Sequence, residues 1–173
     1  VRTYESVTGE LVRVPDPERL VHLQFRRFAG CPVCNLHLRS FVQRHDEIVA
    51  AGVREVVFFH SPAEELREHV AGLPFAVVAD PGKEVYVEYG VESAPRALLH
   101  PKAWGPVLRG IAVALATRAP LPKARPHGGR LGLPADFLIA PGGEVVASKH
   151  GEHVYDQWSV DELLARAAMR PVG

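Results

Sequence analysis

The amino-acid sequence predicts an α/β domain in which helices pack against a mixed central sheet. Two observations carry this. Short apolar runs of strand type alternate with stretches of helical period through roughly the first half of the chain. Later, Pro141-Gly142-Gly143 joins two further strand-like runs by a turn too short for anything but an antiparallel pair, so the sheet is mixed. The chain has 173 residues, 47% hydrophobic and 23% charged. That suits a single domain over residues 1–173, with residues 92–131, which fit the repeating pattern least well, as an insertion before the last hairpin.

Taken in order, Tyr4 to Val14 reads as a short hairpin around Thr8-Gly9, and Pro15-Asp16-Pro17 breaks the pattern. Leu20 to Phe25 is a strand. From Pro32 to about Ala51 the period is helical, with Leu38, Phe41, Val42, His45, Ile48 and Val49 on one stripe, until Gly52 stops it. Val53 to Phe59 is a compact apolar run that suits a buried strand. Ser61-Pro62-Ala63-Glu64 predicts a helix start, with serine as N-cap and proline at the first helical position. Pro74 to Ala79 is a strand, and Lys83 to Tyr89 a short helix. Within the insertion, Trp104 to Ala116 is apolar and helical, and the Pro/Gly/basic run Pro120 to Arg130 is expected to be a mobile loop. Ala135–Ala140 and Glu144–Lys149 form the late hairpin. Ser159-Val160-Asp161-Glu162 is a capping box that opens the last helix.

The formal net charge is zero, which argues against a nucleic-acid partner. No apolar run approaches the ~18 residues that span a bilayer, so no membrane partner is expected. The start of the chain shows no signal-peptide pattern, and a cytoplasmic protein is expected. The apolar Trp104–Ala116 stretch could leave a hydrophobic face for a homodimer.

Only two cysteines occur, Cys31 and Cys34, separated by Pro32-Val33. In a reducing compartment a lone close pair points to catalysis or metal binding rather than to a structural staple. Cys31 lies where a strand ends and a helix begins. Pro32 suits the first helical position, which makes Cys31 the N-cap. Free amides and the positive helix end there favour a thiolate, so Cys31 is the expected attacking sulfur. Cys34, in the first turn and expected to be the more buried of the two, resolves the adduct. Either Arg26 or Arg27 could add positive charge, but strand alternation argues against both. Two inert buried thiols, or a zinc site with His37, are the competing readings; Asn35, where c-type haem attachment needs histidine, excludes that chemistry. No cofactor is called for. Pro134 precedes a strand, and a cis Leu133–Pro134 peptide would turn a backbone edge toward the sulfurs; a trans proline that opens the strand is the alternative. Asp136 is either a proton acceptor or a solvated carboxylate. His60, at the end of a buried strand, either faces the site or is a hydrogen-bonded core residue. His150 and His153 read as surface-loop residues.

Arg27-Phe28-Ala29-Gly30-Cys31-Pro32-Val33-Cys34, Phe58-Phe59-His60-Ser61, Asp80-Pro81-Gly82-Lys83, Tyr89-Gly90-Val91, Phe137 to Gly143 and Gly151 to Trp158, in that order, resemble the peroxiredoxin-like redoxins. These are relatives of the alkyl hydroperoxide reductase and thiol-specific antioxidant proteins, in the branch with a C-x-x-C site. The resemblance runs from about Val7 to Ala167. It implies a thioredoxin-like fold, an attacking Cys31, a second redox cysteine at Cys34, a cis-proline at Pro134, and a thiol donor that restores the pair. Two positions depart from the family. Phe28 stands where a threonine or serine usually precedes the attacking cysteine by three residues, and Ala135–Ala140 holds no arginine. Those two groups normally hold the peroxide, whereas thiol–disulfide exchange needs only an activated sulfur and its partner. The expected activity is therefore thiol-dependent reduction of peroxides or disulfides through a Cys31/Cys34 disulfide cycle. A non-catalytic redox sensor using the same pair is the alternative.

Overall fold

The computed structural model describes residues 1–91, 93–94, 96–120, 122 and 124–169; of Arg96 only the backbone is described. Strands β1 (Arg2–Glu5) and β2 (Leu11–Val14) form an antiparallel hairpin. β3 (Leu20–Phe25) leads into α1 (Pro32–Gln43), α2 (His45–Ala50), β4 (Val53–Phe59), α3 (Ala63–Val70), β5 (Ala76–Ala79) and α4 (Glu84–Glu88). The 92–131 segment contributes α5 (Arg96–Leu99), a 3₁₀ turn (Pro101–Ala103) and α6 (Trp104–Ala116). β6 (Ala135–Ile139), β7 (Val145–His150) and α7 (Val160–Ala168) close the chain.

The main sheet has the order β5-β4-β3-β6-β7. β3, β4 and β5 are parallel, because a helix returns the chain between them; β6 and β7 are antiparallel, because a tight turn joins them. Val53–Phe59 and Ala135–Ile139 thus share one sheet, each beside β3, as the mixed-sheet reading requires. The two faces of β3 differ. Val21, Leu23 and Phe25 join Val56, Phe58, Phe137 and the β1–β2 hairpin in an apolar layer. The opposite face presents Leu20, His22, Gln24 and Arg26, all buried. There His22 stacks on Trp158 and lies against Phe41 of α1.

Three local expectations change. The long first helix breaks at Arg44, whose guanidinium grips Glu47 and, 2.6 Å away, Asp161 in the first turn of α7; Val42 and Val49 stay exposed instead of joining the buried stripe. Ser61 does not cap α3. Its Oγ accepts from Ala29 N at 2.9 Å, because the cysteine loop passes closer to it than the α3 amides do, and Pro62 takes the N-cap place. Where a mobile loop was expected, the His127–Gly128 part of the Pro120–Arg130 run is pinned to the body of the domain. The His127 carbonyl accepts from His60 Nδ1 at 2.8 Å, the Gly128 carbonyl from Lys83 Nζ at 2.9 Å, and His127 Nε2 bonds the Pro81 carbonyl at 3.0 Å. Residues 92, 95, 121 and 123 of this segment lie outside the described residues. The capping box at Ser159 and Glu162 is formed in both directions.

Candidate active site at the strand-to-helix junction

The loop between β3 and α1 is held by the far end of β4. Arg26 N donates to the Phe58 carbonyl at 2.8 Å, and His60 N donates to the Arg27 carbonyl at 3.1 Å. Gly30 turns the chain into α1 at φ +72°, and a Cβ there would lie 2.6 Å from the His69 ring, so both conformation and space call for glycine. Cys31 follows as the N-cap of α1 with Pro32 just inside the helix.

The Cys31 sulfur is surrounded by donors. Cys34 N lies 3.4 Å away, the Cys34 thiol donates from 2.7 Å, and Arg27 Nη1 approaches to 3.6 Å. Burial alone pushes a thiol up. Here the Cys34 thiol, the Arg27 charge and the Cys34 and Val33 amides outweigh burial and bring Cys31 down to about 6. Cys34 moves the opposite way, raised by burial and by its role as donor to the Cys31 sulfur. The pair is thus split into a thiolate and a thiol that shares its proton with it. Both are free cysteines. The expected contrast in exposure is absent: Cys31 is 0% exposed and Cys34 2%, because the 92–131 segment folds over the junction.

That cover is close. A Cβ on Gly110 of α6 would lie 2.8 Å from the Pro32 carbonyl oxygen, so α6 crosses the first turn of α1 nearly backbone to backbone. Beside the crossing, a cavity of about 240 Å³ is lined by Phe28, Pro32 and Val33 from the cysteine loop and α1, by Leu98, Val107 and Ile111 from the 92–131 segment, and by Arg27 and Arg130. Both guanidinium groups lie over the Phe28 ring, 5.0 Å and 5.7 Å from its centre. The helical run was legible in the sequence; its placement over the cysteines was not.

The adjacent arginines separate as strand alternation requires. Arg27 serves the sulfur. Arg26 turns beneath α1 and donates to Asp136 at 2.9 Å and Gln24 at 2.6 Å. Asp136 also meets His22 Nε2 at 3.1 Å and accepts from Trp158 N at 3.0 Å, while His22 Nδ1 lies 3.3 Å from Glu55. Burial pushes Asp136 up, but Arg26 and His22 hold it well below the usual carboxylate range. It is a fully paired buried anion, neither solvated nor poised to take a proton near neutrality.

Pro134 is buried, but its peptide bond is not cis; among the described residues the cis peptide is Val14–Pro15. The trans form is the ordinary state of an X–Pro bond, and here the Pro134 carbonyl extends the β6–β7 pairing by accepting from Gly151 N at 2.8 Å. The cis-proline expected from sequence is therefore corrected. His37 points into the core: its Nε2 bonds the Trp158 carbonyl at 2.7 Å, and burial together with Arg26 lowers it to about 3. Among the described residues no cluster of three His, Cys, Asp or Glu side chains is placed to hold a metal ion. His60 lies under the pinned loop, lowered by burial to about 4, with a buried Nε2 that has no hydrogen-bond partner. His150 bonds the Tyr89 carbonyl, and His153 stacks on His100.

The sequence profile of the AhpC/TSA antioxidant enzymes matches residues 37–153. The chain belongs to this family. The matched span begins after Cys34, so the cysteine pair rests on its own geometry. No curated protein matches the chain. Among solved structures, the peroxidoxin BcpB of Mycobacterium tuberculosis is similar with a TM-score of 0.67 and 15% identity, over 98% of this chain and 94% of that one. A cysteine-to-serine mutant of peroxiredoxin 6 from Arenicola marina gives 0.68 at 16% identity, over 96% and 68%. A putative thiol:disulfide interchange protein DsbE from Chlorobium tepidum gives 0.58 at 18%, over 96% and 92%. At these identities the likeness shows the fold, which is thioredoxin-like. The chain is a member of an oxidoreductase family with peroxiredoxin-like architecture.

Proposed function

We propose that the protein is a thiol-dependent peroxidase whose working group is the Cys31/Cys34 pair, acting in the cytoplasm, where thiol donors are abundant. The observation that carries this is the Cys31 sulfur, lowered to about 6, with a guanidinium 3.6 Å away and a protonated thiol 2.7 Å away. The Cys31 thiolate attacks the outer oxygen of a hydroperoxide. The S–O bond forms, the O–O bond breaks, and the alkoxide leaves as alcohol after taking a proton. Cys34 sulfur then attacks the sulfenic sulfur, forming the disulfide as water departs. Two external thiols return the pair to its reduced state and become a disulfide. Arg27 takes the place of the arginine missing from β6, as a charge beside the reacting sulfur.

The closeness of the two sulfurs across a single helical turn also favours disulfide substrates, in which Cys31 attacks a sulfur instead of an oxygen. A steady-state assay with one thiol donor and hydrogen peroxide, an alkyl hydroperoxide and a small disulfide in parallel tests both readings. Peroxide turnover above that with the disulfide supports the first, and the reverse ranking supports the second. A single stoichiometric oxidation without turnover would assign the pair to a sensor.

A further inference from the structure

We propose that α6 is a docking face for an anionic lipid surface. This is independent of what the cysteines reduce. Four large side chains of α6, Trp104, Leu108, Ile111 and Leu115, recur at helical spacing and form one stripe. They are 55%, 64%, 42% and 63% exposed. The stripe lies beside the buried contact of the helix, which is made through Gly110. A continuous row of this size is more than the scattered apolar residues of an ordinary surface.

The charge around the stripe selects its partner. Between Ser93 and Ala135 the sequence has no aspartate or glutamate and seven lysines and arginines. The whole chain is neutral, so the rest of the molecule carries a matching acidic excess. Lys102, Arg109 and Arg118, on and beside α6, are exposed, as is Arg125 in the loop beyond. Within α6 Arg109 is the one charged residue; Lys102, Arg118 and Arg125 flank the helix and supply the attraction to anionic headgroups, while the stripe, with tryptophan at one end, supplies the apolar contact with the headgroup layer. A second copy of this chain fits less well. A two-fold contact sets the same patch against itself, which here brings cation against cation with no acid in the segment to relieve it. At 13 residues α6 is too short to cross a bilayer, and among the described residues no helix is long and apolar enough to do so. The absence of a spanning run, which led to the expectation of no membrane partner, does not bear on a helix that lies flat. Ile111 belongs both to the stripe and to the lining of the cavity beside Cys31, so docking would bring a wall of that cavity to the lipid.

The test is co-sedimentation of the purified protein with vesicles of phosphatidylcholine and phosphatidylglycerol in equal parts, against pure phosphatidylcholine. Trp158 is fully buried, so a blue shift on binding reports Trp104. Binding at least about tenfold tighter to the anionic vesicles, weakened by salt, is expected. Leu108→Glu with Leu115→Glu should lower it by at least about tenfold, since each leucine exchanges buried apolar area for charge. Both positions are exposed, and an unchanged Cys31 alkylation rate checks that the variant is folded. Absence of binding, equal binding to both vesicles, or a double variant that binds like the parent would overturn the proposal. So would sedimentation velocity showing a dimer that the double variant dissociates, which would give the face to a second copy.

Discussion

Arg26 and Arg27 are neighbours in the chain, are both buried, and do opposite work. Arg26 enters a closed network in which Asp136 answers its charge, His22 and Glu55 answer each other, and α1 and Trp158 seal the surface. Among the described residues Arg27 has no carboxylate as a hydrogen-bond partner. It donates to the Arg130 carbonyl and to the Cys31 sulfur. A buried cation matched by an anion is a structural element whose loss is felt as stability. A buried cation that donates to a thiolate is felt as reactivity, because it favours the sulfur's ionised form. One step of strand alternation decides which arginine becomes which.

The largest effect should come from the sulfur side. Cys31→Ser is expected to abolish turnover, while Cys34→Ser keeps the first attack and accumulates a Cys31 adduct, read by intact-mass spectrometry. Loss of the first attack in Cys34→Ser, with its retention in Cys31→Ser, would reverse the assignment.

On the structural side, Asp136→Ala strands Arg26 and His22 without their anion and should cost about 3–5 kcal/mol in urea denaturation. Replacing Arg26 and Asp136 together by methionine and leucine should cost clearly less than the sum of the single changes. Additive losses would mean the two do not act as a pair. The network also sets a pH window. His22 is lowered by burial but raised further by Asp136 and Glu55, so its contribution is full below the unfolded histidine value and is lost as pH rises through its folded value. Asp136, depressed on folding, contributes above the unfolded carboxylate value and loses that contribution as pH falls toward its folded value. The contributions of these two groups overlap between about pH 4 and 6.5. His37 and His60, held neutral by burial at about 3 and 4, act the other way and lose their contribution as pH falls below the unfolded histidine value, so the network is read from the difference between the parent and Asp136→Ala, which should be largest inside that window.

Arg27→Gln should act mainly on reactivity. The alkylation rate of Cys31 is expected to rise through a midpoint near pH 6 in the parent protein. In the variant the midpoint should move up by about one unit, since an opposite charge this close has left. An unmoved midpoint would assign the low value to the helix end and Cys34 alone. The smallest change is at the other end of the chain, where Ser159→Ala should cost about 1 kcal/mol by opening the α7 capping box, with no effect on Cys31.

The late hairpin, the capping box at Ser159 and the bounds of α6 were legible in the sequence because each depends on residues within a turn or two of one another. The N-cap place of Cys31 was legible for the same reason: Pro32 follows it, and a strand precedes it. The sequence also placed the chain among the redoxins. The division between Arg26 and Arg27 was half visible, since alternation says that they differ but not which one reaches the sulfur. Asp136 could not be read as the partner of Arg26, because 110 residues separate them and only the pairing of β3 with β6 brings them together. The displacement of Ser61 from its cap depends on Ala29, a partner remote in sequence, and the ion pair that Arg44 makes with Asp161 across the helix break is equally remote. The proline before β6 looked the same in sequence whether cis or trans, and the folded chain holds the ordinary trans form. The burial of Cys31 is the clearest case. Local chemistry determined that its sulfur ionises easily, whereas the approach of Gly110 to Pro32 decided that it does so beneath a helix, beside an apolar cavity. Backbone contact between elements nearly eighty residues apart leaves no periodic trace in either of them, so only the folded chain could show it.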